Sequence, residues 1–457
     1  MLQKNGKVIE SDHAILIEIG GTCVRTITDA RLTQQSMMHD HVTFIDDVIT
    51  IQISPIAWRA QIAKGHDIGG AGRNQSMTAD QPDHGSEWNK ISLCAYNREA
   101  HSRDVRRIRA SHELKTRNTM SDTTTVHAWA TSGPDQPFEP FEYELGPIGP
   151  DEVEIEVTHC GICHSDLSMA NNDWGLTTYP FVGGHEIEGR VTRVGSDVRT
   201  HQIGDRVGVG WFAASDLECP YCRDGKHNLS PTTSGVIVGR HGGFADRVRA
   251  QSTWVFPIHE NIPIGEAGPL FCGGATVWTP IQHHTKPTNR IAIVGIGGLG
   301  HLALMFGNAW GCHVTAITTS ESKREEAMKL GAHDVLIGND DAALAANAGQ
   351  FDVIVSTVNA PLAWSAYIAL LKPEGRLHLV GAVLEPIPVS AFDLIMGHKS
   401  LSGSPVASPG DTNLMVEFAG RHGIAPTTEH FPISKINEAF DKLKEGSLRY
   451  RAILDIT

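Results

Sequence analysis

Three groups of residues in this chain combine types and spacings that chemistry requires. The first is Cys160-Gly-Ile-Cys163-His164-Ser165-Asp166, followed by Gly183-Gly184-His185-Glu186 and later by Phe271-Cys272-Gly273-Gly274. A catalytic zinc ion takes three protein ligands, drawn from thiolate, imidazole and carboxylate, and keeps one position open. Two cysteines and one histidine from these segments supply such a set. Spacing alone leaves each residue its ordinary alternative, a cysteine as a small buried apolar group or a histidine hydrogen-bonded in a core. The second group is Gly295-Ile-Gly297-Gly298-Leu299-Gly300, directly after the apolar run Arg290–Val294 and before a helical pattern. Glycines there permit a tight turn and a close backbone approach to a pyrophosphate lying at a helix N-terminus. In this strand–turn–helix setting the motif predicts a dinucleotide site. The third group, at the end of the next strand, is Thr318-Thr319-Ser320-Glu321-Ser322-Lys323-Arg324. An acidic residue there would hold the ribose 2′-hydroxyl of NAD. Hydroxyls followed by cations suit a 2′-phosphate instead, so NADP(H) is expected, with Thr318, Thr319, Ser320 and Lys323 beside it.

The elements that carry these groups follow from periodicity. Strands are predicted at Arg290–Val294, His313–Thr318, Asp334–Ile337, Phe351–Val358 and Arg376–Val383, with helices between them, among them Leu299–Trp310 and Glu321–Leu330. Strands alternating with helices of this length predict an α/β fold with a doubly wound parallel sheet. Before about residue 270, short strands such as Glu152–Val157 alternate Val and Ile with Glu between Gly- and Pro-containing turns. After about 404 the pattern is mixed again. An α/β domain over 273–404, inserted between two parts of a β-rich domain (120–272 and 405–457), fits this order.

The chain has 457 residues, enough for two or three domains at about 100–200 residues each. Its net charge of −14 argues against a general affinity for nucleic acid or an anionic membrane, since both are polyanions. It contains no apolar run of about 18 residues, and its first thirty residues lack the pattern of a secretory signal. Eight cysteines in a chain of this length suggest metal binding or catalysis rather than a disulfide scaffold, and a cytoplasmic location is expected. Residues 1–119 hold 15 basic and 14 acidic side chains, so the rest of the chain carries a net −15. That segment shows plausible strands only at Ala14–Ile19 and Val48–Ile53, then a long polar stretch from Lys64 to Asn118 that includes the basic run Arg103–Arg109. It is expected to be translated upstream sequence, with Met120 as the natural start, or else a disordered extension.

Taken together and in order, Cys-Gly-Ile-Cys-His-Ser-Asp, Gly-His-Glu, Cys-Gly-Gly-Ala-Thr and Gly-Ile-Gly-Gly-Leu-Gly-His resemble the zinc-dependent medium-chain alcohol dehydrogenases. Within them the chain is similar to the cinnamyl alcohol dehydrogenase-like branch. It is nearest to the bacterial NADPH-dependent aldehyde reductases on His241-Gly-Gly-Phe-Ala-Asp and Ala425-Pro-Thr-Thr-Glu. The resemblance runs from about 124 to 457 and covers none of 1–119. It implies a Rossmann sheet inserted in a GroES-like catalytic domain, and one catalytic zinc held by Cys163, His185 and Cys272, with Glu186 beside it. Cys160 is then structural. Asp166 would orient the ligand histidine, Ser165 would exchange a proton with the substrate oxygen, and His164 and Thr276 would touch the cofactor. The glycine turn Gly295, Gly297, Gly298, Leu299 and Gly300, with the segment Gly381, Ala382 and Val383, would line the cofactor site. Trp174 and Phe212 would wall the substrate pocket. The relatives' pattern also implies a homodimer and small aldehydes or alcohols as substrates.

Two departures stand out. Relatives pass the proton onward to a histidine three residues after the Ser165 position, which here is Ser168, so the relay is expected to end differently, in water. Where relatives hold a second, structural zinc with four cysteines, this chain has Asp216, Cys219, Cys222 and Ser230. Serine is a poor zinc ligand, and that lobe is expected to be metal-free. The activity implied is interconversion of aldehydes and primary alcohols with NADP(H) over a broad aliphatic and aromatic range. The competing readings are a zinc-free quinone or enoyl reductase on the same fold and a non-catalytic NADP-binding protein.

Overall fold

In the computed structural model, residues 123–456 are described throughout, together with the backbone of four strands nearer the N-terminus. Those four form two antiparallel hairpins, Ile15–Ile19 with Thr22–Ile27 and His41–Ile45 with Val48–Gln52. Both predicted strands of this segment are therefore present. The polar stretch 64–118, its basic run and the question of a start at Met120 lie outside the described residues. Contacts divide the chain at Met120, and the unit that follows is described by itself below.

Six strands of this unit make one fully parallel sheet in the order Asp334–Ile337, His313–Thr318, Arg290–Val294, Phe351–Ser356, Leu371–Leu379, Ser400–Gly403. The order doubles back between Arg290–Val294 and Phe351–Ser356, and ligands of such sheets sit in the crevice beyond the carboxyl ends of the strands at that switch. Runs such as Ile291–Val294 and Val353–Val355 are buried throughout, as expected of strands covered by helices on both faces. The helices Gly300–Trp310 and Arg324–Lys329 follow the first two strands, and Gly311 ends the former in the left-handed conformation (φ 100°).

A second, seven-stranded sheet is almost wholly antiparallel. Its order is Phe256–Pro257, Arg206–Val209, Glu186–Val194, Glu152–Ile162, Arg451–Asp455, Thr428–Pro432, with Arg247–Gln251 also paired to Glu152–Ile162. The chain therefore leaves this sheet after Pro257, builds the parallel sheet, and returns to complete the first with Thr428–Pro432 and Arg451–Asp455. Val153, Ile155 and Val157 alternate into its core, with Phe181, Ile187 and Phe244 among their neighbours. The return strand brings Arg451 next to Gly298 of the nucleotide turn. Among the described residues no helix is long and apolar enough to cross a membrane.

Candidate active site

The strand Glu152–Ile162 runs straight into the short helix His164–Ala170, and the junction is fixed by one carboxylate. Asp166 accepts hydrogen bonds from the backbone N–H of Cys163 (2.9 Å) and of Gly184 (2.8 Å), and from Nδ1 of His185 (3.0 Å). A carboxylate only accepts, so Nδ1 carries the imidazole proton and Nε2 is directed away from Asp166. Nε2 lies 3.2 Å from Sγ of Cys272, whose own Sγ is 3.9 Å from Sγ of Cys163. Cys163, His185, Glu186 and Cys272 are all buried, and each offers a donor atom within 4.8 Å of the others. Cys160, buried nearby, packs against the backbone of Gly184 and Gly243 and takes no part in this group.

The titratable groups of this cluster act strongly on one another. The hydrogen bond from Cys272 holds the Cys163 thiol well below its ordinary range, against burial, with Arg451 and His185 acting in the same direction. That same bond, with burial, pushes Cys272 well up. Burial alone would lower His185, but Asp166 and Cys163 outweigh it and hold the imidazole well above its usual value. Glu186 is raised by burial to about 7, with Arg451 opposing the rise. Arg451 Nη1 is 3.1 Å from Glu186 Oε1, yet both carboxylate oxygens and Arg451 Nη2 lack an aligned hydrogen-bond partner. Two thiols, an imidazole and a carboxylate thus converge in a buried space with one cationic side chain against them.

Sequence reasoning missed Arg451, which closes this site from the side of the glycine turn. It is 4% exposed, and its Nε donates to the carbonyl of Gly298 (3.2 Å). A Cβ on Gly298 would lie 2.9 Å from that Nε, and one on Gly273 only 2.2 Å from Nη2. Gly295 has φ 88° and Gly300 would place a Cβ 1.8 Å from the Gly295 carbonyl, so both are required by the turn itself. A Cβ on Gly297 would meet no protein atom within 4 Å, which leaves that position free to approach a ligand. His301, quoted within the motif but given no role, is buried and stacks on Tyr450 (4.8 Å, 9°). Its Nδ1 faces the Gly297 carbonyl (3.2 Å) and its Nε2 accepts from the Thr427 N–H (3.3 Å).

A cleft of about 790 Å³ joins the two regions. Cys163, His164, Ser165, Ser168 and Trp174 face it from one side; Gly295, Gly297, Gly298, Leu299, Lys323, Gly381 and Ala382 face it from the other. Gly300 is buried under the turn, and Thr276 lies buried in the helix Gly273–His284, outside the lining. Thr318, Thr319 and Ser320 are also outside it; Thr318 Oγ1 caps the Ser320 N–H and Ser320 Oγ pairs with Ser322 Oγ, which ties the segment to itself. Lys323 reaches back over the turn, with Nζ 3.2 Å from the Ile296 carbonyl, whereas Arg324 pairs with Glu321. Val383 packs with the core beneath the sheet.

One pocket residue is corrected. Phe212 does not face the cleft; it packs on Trp254 (5.1 Å). Trp174 does line the cleft, and Trp211, itself outside the lining, is edge-on to His185 (5.1 Å) and to Trp174 (5.9 Å). In the separate lobe that follows, Asp216, Cys219 and Cys222 do come together, with their ligand atoms within 4.8 Å of one another.

Comparison with known proteins agrees with this arrangement. Residues 149–260 match the alcohol dehydrogenase GroES-like domain and residues 298–421 the zinc-binding dehydrogenase family. The chain is 48% identical over 330 residues to the aldehyde reductase AdhA of Synechocystis sp., an alignment spanning 72% of this chain and 98% of that protein. It is 41% identical to cinnamyl alcohol dehydrogenase 7 of Arabidopsis thaliana, over 70% of this chain and 92% of that one. The structure resembles cinnamyl alcohol dehydrogenase SbCAD4 of Sorghum bicolor with a TM-score of 0.70 at 36% identity, covering 73% of this chain and 98% of the other. It also resembles the Helicobacter pylori enzyme CAD, solved in complex with NADP(H), with a TM-score of 0.67 at 29% identity over 73% and 98%. The paired donor cluster and glycine turn, on these two sheets and with these relatives, make the chain a member of the zinc-dependent medium-chain alcohol dehydrogenase family.

Proposed function

We propose that the protein is a zinc-containing aldehyde reductase that prefers NADPH, acts on apolar aliphatic and aromatic aldehydes, and in reverse oxidises the primary alcohols. The observation that carries this reading is the convergence of Cys163, His185 and Cys272 in one buried cluster, of which Cys163 lines a cleft that the glycine turn also lines. Zinc fits the donor set. Two thiol sulfurs and an imidazole nitrogen are its preferred ligands, and the unpartnered oxygens of Glu186 stand beside them. When bound, zinc supplies a Lewis acid and NADPH the hydride.

The chain's own residues do the positioning. Asp166 fixes the tautomer and plane of His185, as the partner of a ligating histidine must. Ser165, half-buried with Oγ 3.8 Å from Cys163 Sγ, holds the proton destined for the substrate oxygen. Ser168 also faces the cleft, so that proton is returned from water rather than from an imidazole. Trp174 offers an apolar surface to the substrate, and Trp211 behind it covers the flank of His185. Since an apolar pocket discriminates by only about 1–3 kcal/mol per methylene, broad substrate use follows. Lys323 is the cation placed for a 2′-phosphate, Gly381 and Ala382 present backbone to the nicotinamide end, and Thr276 supports it from below. The cofactor domain is taken as 273–404, with 120–272 and 405–457 as the catalytic domain. A homodimer is the assembly expected.

Steady-state rates with benzaldehyde, hexanal and mannitol, each with NADP(H) and NAD(H), test the substrate and cofactor classes together. Both aldehydes are expected to be reduced, with a preference for NADPH of at least tenfold that falls in Lys323→Ala. Equal use of NADH, or efficient turnover of mannitol alone, would contradict the proposal. The polyol is included because a 40% identical relative is the mannitol dehydrogenase of Petroselinum crispum.

A further inference from the structure

The lobe between Phe212–Ala214 and Ser234–Gly235 contains the sequence Cys219-Pro220-Tyr221-Cys222, and the catalytic reading has no use for it. Here the fold brings two thiols together without the donors a closed zinc site requires. Structural zinc takes four strong ligands, and only Asp216, Cys219 and Cys222 group here. Asp216 Oδ1 already accepts the backbone N–H groups of Glu218 and Cys219, both at 3.0 Å. The remaining corner is a neutral hydroxyl pair, with Ser230 Oγ 3.3 Å from Cys219 Sγ and 2.8 Å from Thr232 Oγ1. His227, near in sequence, is turned edge-on to Trp254 and lies outside the group.

What this arrangement does suit is thiol–disulfide chemistry. Cys219 caps the single helical turn Pro220–Arg223 that contains Cys222, and the Cys222 N–H donates to Cys219 Sγ (3.4 Å). Their sulfurs lie within 4.8 Å, a separation that side-chain rotation closes in a Cys-x-x-Cys turn. The two differ in access: Cys219 is half-buried at the surface and Cys222 is buried behind it. An incoming reagent therefore meets Cys219 first and leaves Cys222 to resolve the product. Such pairs, outside a metal site, are the usual redox-active form of the motif.

We propose that Cys219 and Cys222 are a redox-active dithiol that closes to an intramolecular disulfide by exchange with small-molecule disulfides. The Cys219 thiolate attacks one sulfur of the reagent disulfide, forming a mixed disulfide and expelling one reagent thiol. Cys222 then loses its proton to solvent and attacks Cys219 Sγ, expelling the second reagent thiol. The protein loses two electrons and two protons, and one disulfide becomes two thiols. This reaction is independent of the aldehyde chemistry proposed above.

The test uses the full chain, fully reduced and then exposed to oxidised glutathione, quenched by alkylation and cut with trypsin. The peptide spanning residues 207–223 contains both cysteines and no other. It is expected to lose the mass of two hydrogens and to take up no alkyl group, and to recover both thiols after reduction. In Cys222→Ser the same treatment is expected to leave one glutathione on Cys219. Alkylation of both cysteines as in the untreated protein would overturn the proposal. So would a glutathione adduct on Cys219 that persists in the wild-type chain, or a second zinc per chain whose removal is needed before either thiol reacts.

Discussion

Glu186 and Arg451 are the two side chains whose roles depend most on each other. Both are fully buried, and Arg451 is the charge set against the donor cluster. Removing one partner of a buried pair leaves the other uncompensated, at a cost of about 3–5 kcal/mol. Arg451→Met is therefore expected to lower unfolding free energy by that amount, and Glu186→Gln in the same chain to restore most of it; urea titrations of the single and double variants measure both. Asp166→Asn is expected to weaken zinc binding by about 10–100-fold while the fold persists, read by competition with a chromogenic chelator. The resemblance implied Cys163, His185 and Cys272 together, which spacing alone left open, and the structure brings their donor atoms into one group. Arg451 was not legible, since a single cation at the head of the apolar strand Arg451–Asp455 reads as an exposed edge residue. Phe212 packs on Trp254 instead of lining the cleft, a tertiary contact between residues 42 apart that local pattern does not reveal.

At the level of elements, the glycine turn separates what the fold needs from what the ligand needs. Gly300→Ala drives a Cβ into the Gly295 carbonyl and is expected to destabilise the parallel sheet domain outright. Gly297→Ala meets no protein atom and is expected to leave the melting temperature within a degree or two while weakening NADPH binding at least tenfold, measured by cofactor fluorescence. His301 ties this turn to the segment carrying Tyr450 and Arg451, and burial together with Arg451 lowers its pKa from 6.5 to about 3. Between those values the unfolded chain binds a proton there and the folded chain does not. Stability is therefore full above about 6.5 and is lost as pH falls toward 3, at about 1.4 kcal/mol per unit. Urea midpoints from pH 7 to 4 are expected to fall more steeply for the wild type than for His301→Gln. Periodicity found five of the six strands of the parallel sheet, missed Ser400–Gly403 and misplaced some boundaries. The strand expected at Arg376–Val383 instead spans Leu371–Leu379, with a register shift against its neighbour and Glu374 at φ 64°. The helix expected over 321–330 begins instead as a 3₁₀ turn, Glu321–Lys323, where the Glu321–Arg324 pair is three residues apart.

On the scale of the whole molecule, the site exists because the chain completes its first sheet only after building the second. The cluster of Cys163, His185 and Cys272 belongs to the antiparallel side, the turn to the parallel side, and Arg451 on the return strand touches both. That order was readable from the interruption of the β-rich pattern near residue 270 and the return to a mixed pattern after about 404. Which side chains would meet across the cleft was not, because contacts such as those of Arg451 with Gly298 and with Glu186 join segments more than 150 residues apart and follow from packing rather than local pattern. Because ligands that bind only the folded state stabilise it, NADPH at about a hundredfold over its dissociation constant is expected to add about 2.7 kcal/mol to the unfolding free energy. The measurement that bears most directly on the central claim counts zinc per chain in the same sample whose aldehyde-dependent NADPH oxidation is followed before and after chelation. One zinc per chain, with turnover lost on chelation and regained on adding zinc, is the predicted result. A folded, NADPH-binding protein that holds no zinc, or that reduces aldehydes equally well after the metal is gone, would contradict it.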